Sequence, residues 1–368
     1  MKQQAGFSIL ELMVAIAITL IVVAATLGTL TDALHANEGI TLLADMTENL
    51  RAGMSYMTRD LVLAGEGIPT GGISIPFTGD GNTPPNNTSV APFWPGPTVG
   101  TMFPITYQTI PGVTPGPFMG PGHATNQLIV SAQTDLVTII YGDTSLPLQL
   151  NPINSAANPT CLGTIAADGS SITFDGNCAS LGVGGTAVLP GDLIMLSNAQ
   201  GNVLQTVTNV NGLTLTFLPG DAFNLNGRQN AQGTIGQLQT PPCPPTPCSG
   251  VFPPTTATRI WMITYYLDDK VDPQRPQLMR RVNFRQPQPV GEVLEDLQVS
   301  YDVADGTPNP PASIKNPIWP DYPAQIRKVN LYLAGRSDAP YSQTNTYFRN
   351  NLLTQITLRS MAFVPRYN

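Results

Sequence analysis

The side chains that could do chemistry are few and scattered, with one exception near the start of the chain. Glu11 is the only charged residue between Phe7 and Leu30. A lone carboxylate in an apolar helix of bilayer length costs roughly 2.5–3.5 kcal/mol even on lenient insertion scales. It persists only where something neutralises or uses it. Elsewhere the patterns point away from catalysis. There is no GxSxG elbow, phosphate loop or HExxH pair, and the two histidines, His35 and His123, leave few general bases. Gly182-Val183-Gly184-Gly185 lacks the Lys-Ser/Thr of a phosphate cradle and reads as a turn near Cys178. Asp268, Asp269 and Asp272 miss the EF-hand spacing, so a solvated turn at a strand end is expected there. Neither Cys161/Cys178 nor Cys243/Cys248 has CxxC spacing, which argues against zinc. No catalytic residue, metal or cofactor is expected, and the chain does not read as an enzyme.

The elements that must position Glu11 are legible around it. Residues 12–30 are apolar apart from Ala, Gly and Thr, and about 20 such residues cross a bilayer as a helix. A secretory signal peptide has its small residues after a shorter apolar run; here Ala5 and Gly6 come before it. A plain anchor gives no reason for Glu11. Beyond the membrane segment, Leu43, Met46, Leu50, Met54, Met57 and Leu61 recur every three or four residues, with Asp45, Glu48 and Arg59 on the other side. The spacing predicts one helix from Phe7 to Ala64, about 87 Å long. Its bare first half would serve the membrane, and its second half would cover a domain. Gly28, Gly39 and Gly53 are expected to bend or loosen it.

Residues 65–122 hold 24 Gly or Pro in 58 positions and only two charges, Glu66 and Asp80. They predict a long loop region, extending to residue 126, docked by Phe93, Trp94, Phe103, Tyr107 and Phe118. Strand signals fill residues 127–368. They include Val137–Tyr141, Leu193–Leu196, Ile260–Leu267 as a central strand, Leu297–Val303, Val329–Leu333 and Ile356–Leu358. Val203–Val210 and Leu213–Leu218 flank Asn211-Gly212 and predict a hairpin over 203–218. A long helix followed by strands reads as α+β with an antiparallel sheet. The net charge is −7 and the 17 basic residues are scattered, so no nucleic-acid footprint is present.

Gly6-Phe7 followed by Glu11 resembles the class III signal of type IV pilins and type II secretion pseudopilins. The resemblance implies a leader of residues 1–6, cleavage after Gly6 by a prepilin peptidase, and N-methylation of Phe7. Lys2 fits the positive leader that stays on the cytoplasmic side. A carboxylate four residues after a free amine can cancel the terminal charge of a neighbouring subunit, which gives Glu11 a place in helix packing. Further segments are similar to PilW-type minor pilins, themselves similar to the J-type pseudopilins. These are Asn49-Leu50-Arg51, Met57–Leu61, Ala64-Gly65, Gly191–Leu193, Tyr265–Leu267, Leu278–Arg281, Val293–Tyr301 and Thr357–Ser360. Residue 28 is Gly where major pilins carry Pro, and the 65–122 insert matches no pattern of that family.

The resemblance implies a pilin-like fold and a minor pilin that primes assembly near the filament tip. The implied partners are prepilin peptidase, other minor and major pilins through the N-terminal helix, and the inner membrane, with the domain in the periplasm. A tip adhesin on the same scaffold and a secretion pseudopilin are the alternatives. Export places the four cysteines in an oxidising compartment, so Cys161–Cys178 and Cys243–Cys248 are expected disulfides. For loops of these lengths each contributes on the order of 2–3 kcal/mol. Thiol counting on protein unfolded without reductant should find none; four free thiols would remove both bridges.

Overall fold

The computed structural model describes residues 8–76, 109–121, 133–150, 161–174, 188–223, 225–226, 233–240, 251–270, 272–304, 306–317 and 323–361, with the backbone alone at 144–150, 161–162 and 323. Ile9–Val62 form one helix, α1, of 54 residues, about 81 Å long at 1.5 Å per residue. Met46, Leu50, Met54, Met57 and Leu61 are buried, as the spacing predicts. Each such side chain gains about 1.5–3 kcal/mol from burial. Leu43, expected on the same stripe, is 41% exposed because the core begins one turn later, at Met46.

The glycines do not interrupt the helix. Gly53 is buried, and a Cβ there would lie 2.9 Å from Leu278 Cδ2 and 3.3 Å from Leu333 Cδ2. That glycine lets the helix approach both sheets. The helix stops where the chain turns: Gly65 has φ +80° and its N–H donates to the Ile140 carbonyl at 2.9 Å.

The strands follow in chain order. The loop region contributes β1 (Ile73–Ser74), β2 (Thr109–Ile110) and β3 (Val113–Gly116). Then come β4 (Leu136–Leu150), β5 (Cys161–Ile165), β6 (Ser171–Phe174), β7 (Leu193–Asn198), β8 (Gly201–Thr206), β9 (Asn209–Asn211) and β10 (Thr214–Thr216). The last group is β11 (Thr255–Asp268), β12 (Gln277–Val282), β13 (Gln288–Glu292), β14 (Leu294–Val303), β15 (Ile326–Arg336) and β16 (Arg349–Thr357). Among the described residues, eleven strands form one sheet along the path β13-β12-β11-β4-β5-β6-β10-β9, with β3 on β4 and β7-β8 on β11. A second sheet has the order β14-β15-β16, and β1-β2 form a short ladder. All pairings are antiparallel except β4 with β5. The α+β architecture expected from the sequence is the one observed.

Helix α1 packs into the seam between the two larger sheets. Its stripe meets Val137, Ile139, Ile263, Tyr265 and Leu267 of one, and Leu297, Val299, Leu331 and Leu333 of the other. On the far side of the large sheet, Ile140, Ile260, Met262 and Tyr266 join Ile73, Ile110 and Leu204 in a separate core. Strands β4 and β11 are therefore buried on both faces over these residues.

Two expectations are corrected. Val203–Thr206 belongs to β8 and pairs with β7, so the predicted hairpin shrinks to β9-β10, with Asn211 opposite Thr214 and Gly212 at φ +58°. The apolar residues of 203–207 serve a core rather than that hairpin. Phe118 is 52% exposed, with the Lys315 ammonium 5.4 Å from its ring, so it does not dock as an apolar anchor. Phe93, Trp94, Phe103 and Tyr107 lie outside the described residues.

The two half-helix glycines should respond oppositely to substitution. A Cβ at Gly39 meets Tyr341 at an ordinary 3.5 Å, so Gly39→Ala should stabilise by about 0.5–1 kcal/mol through helix propensity. Gly53→Val should destabilise by about 1–3 kcal/mol through overpacking. Chemical unfolding of both variants checks the contrast.

Candidate functional site

Glu11 sits in the first turn of α1, exposed, with no ion-pair partner among the described residues. A carboxylate there is favoured by the positive end of the helix dipole. The residues around it are bare: Ile9, Leu10, Leu12, Met13, Val14 and Ile16 are all more than 50% exposed. An 18-residue window of this helix has mean hydropathy 2.6 and none of it is buried. It is long and apolar enough to cross a membrane.

The polar atoms within the run are already satisfied. Thr19 donates its hydroxyl to the Ala15 carbonyl at 2.8 Å, and Thr26, Thr29 and Thr31 bond back to Val23, Thr26 and Leu27 at 2.9 Å. Such internal bonding suits a hydrocarbon solvent, which offers no partners. Glu11 is thus the one polar function on this surface that the helix does not answer for itself.

Two contacts hold the helix to the domain, one beside the bare half and one at its buried end. Just past the bare half, the Ser342 hydroxyl donates to Glu38 Oε2, and the Ser342 N–H reaches Glu38 Oε1 at 3.3 Å. His35 Nδ1 lies 2.9 Å from the same hydroxyl. The hydroxyl bond holds Glu38 below the usual carboxylate range. Tyr341 and Phe348, their rings tilted by 38° with centroids 5.3 Å apart, cover Gly39.

The other contact is at the buried end. Tyr265 Oη donates to Asp60 Oδ2 at 2.6 Å, and Arg280 Nε reaches the same oxygen at 2.7 Å. Asp60 is 1% exposed. Burial, then the Asp60 charge, pushes the Tyr265 phenol up, so it remains a donor. This cluster ties the last turn of the helix to β11 and β12. Its signal in the sequence is an aspartate on the apolar stripe, three residues after Met57, which the reading of that stripe passed over.

The remaining expected site residues fall as follows. Gly6, Phe7, Cys178, Cys243 and Cys248 lie outside the described residues. Cys161 opens β5, described there in its backbone alone. Asp268 and Asp272 each accept a backbone N–H two residues on, at 2.9 Å, which closes a turn at 268–270 and another at 272–274.

Residues 1–27 match the family model of the prokaryotic N-terminal methylation motif. In this segment the chain is similar to type IV pilins, and that motif implies processing by a prepilin peptidase and pilin assembly in general. Among solved structures, a type IV-like pilin from Thermus thermophilus is similar at 13% identity, over 47% of this chain and 87% of that one, with a TM-score of 0.18. No curated protein matches the chain.

Removing Asp60 takes away the acceptor shared by the buried Tyr265 hydroxyl and the partly buried Arg280 guanidinium. Asp60→Ala should cost about 3–5 kcal/mol, and Asp60→Asn, which keeps an acceptor for Tyr265, should cost less. Urea unfolding followed by tryptophan fluorescence measures both. Equal stability of Asp60→Ala and the parent would remove the cluster as the anchor of the helix.

Proposed function

We propose that the chain is a minor pilin of a type IV pilus, a filament subunit that helps prime assembly and sits near the tip. The observation that carries this reading is the methylation-motif match over residues 1–27, continuous with a helix whose first half is apolar and exposed. Before assembly, the bare half spans the inner membrane once and the domain lies in the periplasm. Prepilin peptidase cuts after Gly6, and Phe7 becomes the methylated terminus.

Assembly follows from the cost of Glu11. Its charge lies about five residues into the apolar run, where a partner's terminal amine or a proton relieves it. Pairing with the amine of an adjacent subunit makes a bundle of these helices cheaper than isolated ones. The work is structural: the helix packs against other pilins, and the domain is carried on its far end.

Glu11→Gln keeps size and polarity and removes the charge. That variant should accumulate in the inner membrane, folded, with a mature terminus at methylated Phe7 by mass spectrometry. Its co-purification with other pilin-like subunits and the number of surface filaments should both fall. Association and filament number equal to wild type at matched protein levels would end this account of Glu11. A terminus at Met1 in the wild-type chain would end the pilin reading itself.

A further inference from the structure

Past the end of α1, the sheet face that it covers continues without a helix over it. Along β11, Tyr265, Ile263 and Trp261 share that face by the alternation of a strand. They stand opposite Val137, Ile139 and Tyr141 on β4. Tyr265 lies under Asp60, but Trp261 and Tyr141, two rows on, are only partly buried. Strand β12 and the turn after it wall the gap. The result is a cleft of about 300 Å³ lined by Tyr141, Trp261, Arg280, Arg285, Gln286 and Gln288 over Ile263 and Val282. Ligand clefts run from roughly 300 to 1,000 Å³, so this one holds a single ring-sized group.

Every polar group on the wall can donate a hydrogen bond, and none is a carboxylate. Burial pushes the Tyr141 phenol up to about 12, which keeps its proton in place. The two arginines carry less net charge than their number implies. Arg280 is paired with Asp60 at 2.7 Å and Arg285 with Asp192 at 2.6 Å, both carboxylates being fully buried behind the wall. These bonds use one nitrogen of each guanidinium, leaving donors on the others. Trp261 is held by the Arg259 and Arg285 guanidiniums, 4.5 and 5.4 Å from its ring, so the wall is set before anything binds.

We propose that this cleft binds a sugar ring bearing one carboxylate, a hexuronate unit of an acidic saccharide. A ring of hydroxyls supplies acceptors for Gln286, Gln288 and Tyr141. Its C–H face lies on the partly buried Val282, and its carboxylate meets Arg285 and Arg280. With each guanidinium already paired to a buried carboxylate, no net charge is left to hold a dianionic phosphate, while the remaining N–H groups still donate to a single carboxylate. The inference rests on the domain alone and stands apart from the filament reading.

The full chain in lipid nanodiscs, free of sugar-headed detergent, is titrated by calorimetry with methyl glucuronide, methyl glucoside and inorganic phosphate. The glucuronide should saturate below about 5 mM, the glucoside should bind about tenfold more weakly, and phosphate should not displace the glucuronide. Gln288 is exposed, so Gln288→Glu folds and should weaken the glucuronide about tenfold while leaving the glucoside unchanged. Tyr141→Phe should weaken both. No glucuronide binding at about 20 mM, displacement by phosphate, or an unchanged affinity in Gln288→Glu would each overturn the proposal.

Discussion

The structure depends on one uninterrupted helix that has to satisfy two solvents. From Ile9 to about Leu34 every side chain is exposed, and the hydroxyls in that stretch bond to the helix's own carbonyls. From Met46 to Leu61 the same helix fills the seam between two sheets. Backbone hydrogen bonds are satisfied identically in both halves, which is why a helix and not a strand makes the crossing. The sheets meet over α1 and also directly, where the Asp135 N–H donates to the Leu297 carbonyl at 2.9 Å, so the helix is part of the core as well as its handle.

Few charges are available to hold this arrangement, since only 11% of residues are charged. Several of them are placed inside. Besides Asp60 with Arg280, Asp143 accepts from Arg259 Nε at 2.8 Å and Asp192 from Arg285 at 2.6 Å. Lys315 reaches Asp135 at 2.8 Å, and Arg336 and Arg349 each approach Glu295 at 3.0 Å. Taking such groups from water is costly, and the attraction within each pair offsets that cost only with good geometry and further bonds. Those further bonds are present: Asp135 also accepts the Val299 and Phe118 N–H groups at 2.8 and 3.0 Å, and Asp192 the Leu189 N–H at 3.0 Å. Each cluster joins segments far apart in sequence. Their effect is to select one register among apolar strands that could otherwise slide.

How far the sequence is legible follows from the range of its signals. The helix and its stripe are local and periodic, and they read correctly apart from one turn at Leu43. The α+β order is likewise local. Strand partners are not: Val203–Val210 carries the right pattern for a hairpin with Leu213–Leu218, but the neighbour of Val203–Thr206 is β7, a choice made by the core around Leu196 and Val203. Gly53 reads as a weak point because propensity is a property of the helix alone; the three leucines that crowd it come from β12, β14 and β15. Asp60 and Arg280 are 220 residues apart, and nothing in either's neighbourhood announces the other. Glu11 stands out in the sequence because its misfit is with its own neighbours.

The point where the helix ends also decides where the domain can bind. Val62 closes α1, and the chain then turns through Gly65, against which a Cβ on Gly112 would lie 2.7 Å from the backbone nitrogen. With that corner filled, the helix has no path over Trp261 and Tyr141, and the cleft beside them stays open. Glu11 and Asp60 are 49 residues apart on one helix, about 74 Å. Packing the bare half against other helices therefore leaves the cleft end of the domain unobstructed by the same helix. The residue that closes the helix onto the sheet, Arg280, also lines the cleft. A group arriving there meets a guanidinium already fixed by Asp60, so recognition at one end needs no rearrangement of the rod that holds the other.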